Sequence, residues 1–236
     1  MDGIGSTYAE GRGRILELVA DLSPEAGAAP VPTCPDWSVH DVVAHLAGSC
    51  ADVLAGRTDG IATAAWADAQ VAERRGRPMA ALVEEWTGAA SRLEAAADRF
   101  PPPLGVVWIL DLTTHEHDIR TALGRPGARD ARGVDIGLGL LVGQALHGGL
   151  CARSLGPLAV RTPGRSWVVG VDAAEAAARG PVDASVEASA FELFRGLTGR
   201  RSRDQLAALA WSVDPEPYLD AFQFATFTTS AVDIDE

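Results

Sequence analysis

Apolar positions recur every three or four residues up to about Leu155, then alternate with polar ones for a stretch beyond it. Over residues 6–22, Ile15, Leu18, Val19 and Leu22 share one face, which predicts a helix. A Pro- and Ala-rich loop follows and ends at Thr33-Cys34-Pro35-Asp36-Trp37. Ser38 then has the chemistry of an N-cap, with Asp41 three residues on in the capping-box position. The helix it opens covers residues 39–54, with Val39, Val42, Val43, Leu46, Cys50 and Val53 as its apolar stripe. A short helix is predicted over 63–73. Pro78 opens a longer one that reaches Phe100, where Pro101-Pro102-Pro103 forbids continuation. A fourth main helix covers 104–123 and stops at Gly124 and Pro126. Residues 134–153 are apolar and glycine-rich and read as a buried helix.

Beyond Leu155, residues 158–162 and 166–171 alternate like two strands joined at Pro163-Gly164, and 182–186 supply a third. Helices are predicted over 189–197, 202–209 and 216–224, and the acidic tail after Thr228 reads as frayed. The fold class expected is α+β, mainly α. An antiparallel helical bundle occupies residues 1–155, and a small α+β domain occupies 156–236.

The hydrophobic share of 47% supports a sizeable core. No run of consecutive apolar residues approaches the roughly 18 to 20 that span a bilayer. The opening MDGIGSTYAEGRGR lacks the charged-then-apolar layout of a signal peptide. A cytoplasmic protein with no membrane partner is expected. The formal net charge of −12 argues against a nucleic-acid partner, whose backbone demands a basic surface. Cys34, Cys50 and Cys151 are widely spaced and odd in number, so they form neither a CxxC pair nor a disulfide framework.

Candidate chemistry sits on the fourth helix. At about 100° per residue, His115 lies about 40° from Asp111 and Asp118 about 20° the other way. Leu104, Val107, Trp108, Ile119 and Ala122 share that side. Two carboxylates and a histidine therefore occupy the face expected to be core, where charge must be paired or bound to a metal. Glu116 and His117 point elsewhere and are expected to be solvated. His45 lies on the preceding capped helix, at the margin of its stripe. Two helices side by side could bring His45 to Asp111 and His115. Two imidazoles and one carboxylate suit catalytic Zn²⁺, with a fourth position open. Spacing alone leaves a second reading, in which His115 is a core histidine bonded to Asp111 or Asp118.

The stretch Cys34-Pro-Asp-Trp-Ser-Val-His-Asp-Val-Val-Ala-His-Leu-Ala-Gly48 resembles the first metal-ligand helix of the mycothiol-dependent maleylpyruvate isomerase family, within the DinB-like metal-binding four-helix bundles. His115-Glu-His-Asp-Ile-Arg-Thr-Ala-Leu-Gly-Arg-Pro126 resembles that family's second ligand helix. Phe191-Glu-Leu-Phe-Arg-Gly-Leu-Thr-Gly-Arg-Arg201, with Trp211-Ser-Val-Asp-Pro215, resembles its C-terminal domain. The resemblance implies metal ligands His45, Asp111 and His115, with Asp111 in place of the family's usual Glu or His. It also implies mycothiol as cofactor. A thiol has a pKa near about 8.5, and an open zinc position would stabilise its thiolate. Addition to an activated double bond, rotation and elimination would isomerise a small electrophilic substrate; displacement would give S-transfer.

Asp118 is a candidate for orienting His115 or an attacking group, or else for a salt bridge within the bundle. Arg195 is read as a catalytic candidate, and Arg200 and Arg201 as cofactor-binding ones. Their guanidinium groups suit a carboxylate, although a solvated turn fits the same residues. His147 reads as a hydrogen-bonded core histidine. Two other functions share these features: a non-enzymatic, metal-stabilised protein that binds a small ligand, and a hydrolase using zinc-bound hydroxide. Elemental analysis of the purified protein should find about one divalent metal per chain. His45→Ala and His115→Ala should each lose it, and His117→Ala should keep it.

Overall fold

The computed structural model describes residues 3–101, 103–178, 180, 182–224 and 227–236. Pro102, at the centre of the predicted proline stop, lies outside them. The chain forms two compact units, residues 1–127 with Glu236, and residues 128–235.

The first unit is helical. It contains α1 (Ile4–Val19), the short α2 (Pro24–Gly27), α3 (Val39–Leu54), α4 (Ala64–Arg74), α5 (Met79–Glu94) and α6 (Leu104–Ala122). Helix α3 packs on α4, α5 and α6, while α1 packs on α5 and α6. The start of α3 follows the predicted chemistry. Ser38 Oγ accepts from the Asp41 backbone N–H at 3.2 Å, and the Asp41 carboxylate accepts from the Ser38 N–H at 2.9 Å. Val39, Val42, Val43, Leu46 and Cys50 are all fully buried, as their stripe requires. Their neighbours include Trp86, whose Nε1 donates to Tyr8 Oη at 3.2 Å, and Tyr8 itself, which stacks on Trp108 with centroids 3.5 Å apart.

A small antiparallel hairpin was not foreseen. β1 (Pro30–Val31) pairs with β2 (Cys34–Ser38) in the segment read as loop. Two- and five-residue strands rich in proline carry no period-two signal to detect.

Helix α6 also departs from expectation. Glu116 and His117 are buried, at 0% and 2% exposure, because other elements surround α6 on nearly every side. Glu116 can be buried because it is charge-paired twice. Arg14 of α1 donates to both its oxygens at 2.8 and 2.7 Å, and Arg120 donates at 3.0 and 2.9 Å.

The second unit holds a four-stranded sheet in the order β4-β3-β5-β6. β3 (Leu158–Arg161) and β4 (Ser166–Val169) form the predicted hairpin, β5 (Ser185–Glu187) lies parallel to β3, and β6 (Ala210–Trp211) is antiparallel to β5. Four further helices, α9 (Ala173–Ala178), α10 (Ala190–Leu197), α11 (Arg203–Ala207) and α12 (Glu216–Leu219), lie along the same stretch of chain.

The helical run before the sheet belongs to this unit, not to the bundle. It comprises α7 (Arg132–Leu140), a π-helical turn (Leu141–Leu146) and α8 (His147–Ala152). Helix α7 packs on α10, and the π turn packs on α10 and β4. The division therefore falls between Gly127 and Ala128 rather than near Leu155. A small sheet needs a cover for its apolar face, and Val134, Leu138, Leu141, Val142, Ala145, Leu146 and Leu150 supply one, each at most 2% exposed. Taken as one helix, Arg132–Ala152 is 21 residues and apolar enough to cross a membrane by length and composition, although no run of consecutive apolar residues reaches that length. Of its apolar window 44% is buried, on the side that meets α10 and β4.

Removing Glu116 should be costly, because it strands two guanidinium groups. Glu116→Ala should lower unfolding free energy by about 3 kcal/mol, the lower end for a broken buried pair, since Arg14 is 29% exposed. Glu116→Gln should lose less. Urea denaturation of the two variants checks the order.

Candidate metal centre

The three residues singled out in sequence converge. His45 projects from α3, and Asp111 and His115 project one turn apart from α6. Their ligand atoms all lie within 4.8 Å of one another. Asp111 Oδ1 is 3.4 Å from His45 Nε2 and 3.6 Å from His115 Nε2. Zinc bonds of about 2.0–2.1 Å in a tetrahedron set ligand atoms about 3.4 Å apart, so the donor set fits such an ion. The side chains of His45 and His115 are 5% and 9% exposed, whereas that of Asp111 is 35% exposed, so the cluster has one side toward solvent.

Each imidazole is held from behind. His115 Nδ1 lies 3.1 Å from Asp118 Oδ2, and Asp118 is fully buried. Thr33, in the β1–β2 turn, donates to Asp118 Oδ1 at 2.8 Å, and Cys34 Sγ lies 3.8 Å from Oδ2. The unforeseen hairpin thus reaches the back of the cluster. Cys34, His115 and Asp118 themselves form a second group of donors within 4.8 Å. His45 Nδ1 lies 2.8 Å from Gln70 Oε1 on α4. Gln70 carried no signal in the sequence, because an amide on an amphipathic helix resembles any solvated residue.

Two indoles flank the imidazoles. The Trp37 ring lies 5.2 Å from His45 and 5.8 Å from His115, and Trp66 meets His45 edge-on at 6.4 Å. Trp37, at the end of the segment read as a loop, is therefore part of the wall of the site.

Burial pulls the His45 pKa down, but the Asp111 carboxylate and the hydrogen bonds to Asp111 and Gln70 outweigh it, leaving the pKa above the ordinary 6.5. Cys50 goes the other way for nucleophilic use: burial pushes its thiol up to about 11.

The arginines are placed differently from the cluster, within the second unit. Arg195 is fully buried, and Arg200 and Arg201 are 7% and 5% exposed. Arg201 is clamped by Glu192 at 2.7 and 3.0 Å, and Arg200 donates to the Thr198 carbonyl at 2.6 Å. His147 is half-buried and accepts from the Gly170 N–H at 3.3 Å, as a structural histidine would.

The family described as the mycothiol maleylpyruvate isomerase N-terminal domain matches residues 8–127, nearly the whole first unit. No curated protein matches the chain. Two solved structures of the mycothiol-dependent maleylpyruvate isomerase, one a histidine-to-alanine mutant, match 89% of this chain and 92% of theirs. Identity is 13% in both, with TM-scores of 0.56 for the mutant and 0.54 for the other, a likeness of fold.

A proton and a metal ion compete for the same His45 lone pair. Metal uptake should therefore begin to fail, as pH falls, above the ordinary imidazole value of 6.5. Metal-free protein should show the opposite slope. The fold favours protonated His45, so that contribution is complete below 6.5 and is lost as pH rises through the raised folded value. Thermal melts of stripped protein should fall across that window, and His45→Gln should flatten them.

Proposed function

The chain belongs to the family of the mycothiol maleylpyruvate isomerase N-terminal domain, and on that premise we propose that it is a cytoplasmic, mycothiol-dependent isomerase of a small electrophilic substrate. In this reading His45, Asp111 and His115 hold one divalent metal, and Zn²⁺ is the ion that two imidazoles, one carboxylate and an open position suit. The observation that carries the proposal is the convergence of two Nε2 atoms on Asp111 Oδ1 at 3.4 and 3.6 Å. When bound, such an ion lowers the pKa of an incoming thiol, ordinarily about 8.5, so that the thiolate is the form held.

The chain's own residues supply the rest. His45 and His115 are neutral donors, and Asp111 is the anionic one. Asp118 accepts from His115 Nδ1 and keeps that ring turned toward Asp111. Trp37 and Trp66 stand beside the imidazoles and keep water from that flank. No protein thiol is required as nucleophile: Cys50 is buried and hard to ionise, and Cys34 lies beside Asp118. Arg195, Arg200 and Arg201 have no part in this reading, because a ligand carboxylate would have to enter buried ground and, at Arg201, displace Glu192.

Cobalt substitution tests the proposal. Adding mycothiol to Co²⁺-loaded protein should produce a sulfur-to-cobalt charge-transfer band, absent in His45→Ala. Asp111→Asn should weaken metal retention more than it changes the fold. Asp118→Asn should keep the metal but lower turnover by about 10- to 100-fold. Product analysis separates isomerisation from S-transfer, which would consume thiol stoichiometrically. A cobalt spectrum unmoved by thiol would sink the proposal.

A further inference from the structure

We infer that Gln70 and Asp52 form a positioning relay that dictates which nitrogen of His45 faces the metal position. The relay's purpose rests on the metal reading above; its geometry does not.

Asp52 stands two hydrogen bonds behind His45, through Gln70. Asp52, in the last turn of α3, is 7% exposed, and its Oδ1 accepts from Arg57 Nε at 2.9 Å. An ionised carboxylate can only accept. Its other oxygen, Oδ2, lies 2.9 Å from the Gln70 side-chain amide, so the end of Gln70 facing it must be the NH2. A glutamine amide has one acceptor end and one donor end, alike in shape. Asp52 therefore removes the ambiguity, and Gln70 Oε1 must face His45, 2.8 Å from Nδ1. A carbonyl oxygen also only accepts. Nδ1 must then carry the hydrogen of the neutral ring, and Nε2, 3.4 Å from Asp111 Oδ1, is the nitrogen that gains and loses the second proton and is left with a lone pair once the ring is neutral. Every link is buried, so water cannot substitute for a mismatched partner: Gln70 is 1% exposed and His45 4%.

The backbone makes room for this arrangement. A Cβ on Gly48, one turn after His45, would fall 2.6 Å from Gln70 Cβ and 2.8 Å from its Cγ. Only glycine lets α4 bring Gln70 this close to α3. Gly48 closes the motif that first drew attention to His45, and its use becomes visible only through Gln70.

The two imidazoles are thus backed unequally. A carboxylate stands behind His115, and a neutral amide behind His45, with the Asp52 charge held one step further off beside Arg57.

Reversing the relay's chemistry tests it. Asp52→Asn lets Gln70 flip, and Gln70→Glu sets two carboxylates 2.9 Å apart. Each should weaken Zn²⁺ retention about 10-fold in chelator competition. The double variant Asp52→Asn/Gln70→Glu restores complementarity. The amide now at position 52 can donate to the carboxylate now at position 70, which still accepts from His45. Its affinity should return toward wild type. A purely structural role predicts no such recovery. Nitrogen-15 spectra of metal-stripped wild type, taken above the raised His45 pKa where the ring is neutral, should show its single hydrogen on Nδ1. A neutral ring with its hydrogen on Nε2, or a double variant no tighter than the weaker single one, overturns the relay. Should wild type take up no metal, the metal reading fails separately, and the nitrogen spectra alone decide the relay.

Discussion

Helix α6 carries Asp111, His115, Glu116, His117 and Asp118 within eight residues, and all but Asp111 are buried. Burying charge without a partner costs several kcal/mol, which is of the order of a domain's whole stability. The first unit is consequently arranged to bring partners to the carboxylates among these groups. Arg14 reaches Glu116 from α1, and Thr33 reaches Asp118 from the hairpin turn. His45 comes from α3 to meet Asp111. The elements that contact α6 are those that satisfy its polar groups, so packing and site geometry are one constraint here.

That constraint explains why helices were legible and the site only half so. The limits of α3 follow from local chemistry: a cap at Ser38 and an apolar stripe that any partner helix can cover. The closeness of Asp111 and His115 on α6 was readable because i, i+4 spacing fixes direction in any helix. Solvation of Glu116 and His117 was misjudged for the same reason that their partners were invisible. A period of 3.6 shows one buried face, but a helix surrounded on nearly every side has no polar face to find. Arg14, which makes Glu116 tolerable inside, is 102 residues away in sequence and looks like any surface arginine.

The unit boundary failed on a related point. The change from helical to alternating pattern at Leu155 is real, but pattern reports secondary structure rather than the partner against which a face is buried. Val134 to Leu150 could have covered a bundle or a sheet equally well; the contacts with α10 and β4 decide it. Similarly, Arg195 and Arg201 read as ligand groups because guanidinium chemistry is legible in a sequence, whereas the burial of Arg195 and the hold of Glu192 on Arg201 are not.

The unequal backing of His45 and His115 bears on the proposed chemistry through charge. Two carboxylates, Asp111 and Asp118, touch the histidines directly. With neutral imidazoles, those two charges would balance a divalent ion in the proposed site. A thiolate bound there would bring the centre to one net negative charge. A carboxylate at position 70 would make it two, opposing the anion that the reaction requires. An amide at that position still fixes the ring, and it takes its own orientation from Asp52, whose charge Arg57 offsets. Gln70 therefore transmits the directing effect of a carboxylate to His45 without placing its charge beside the proposed metal position.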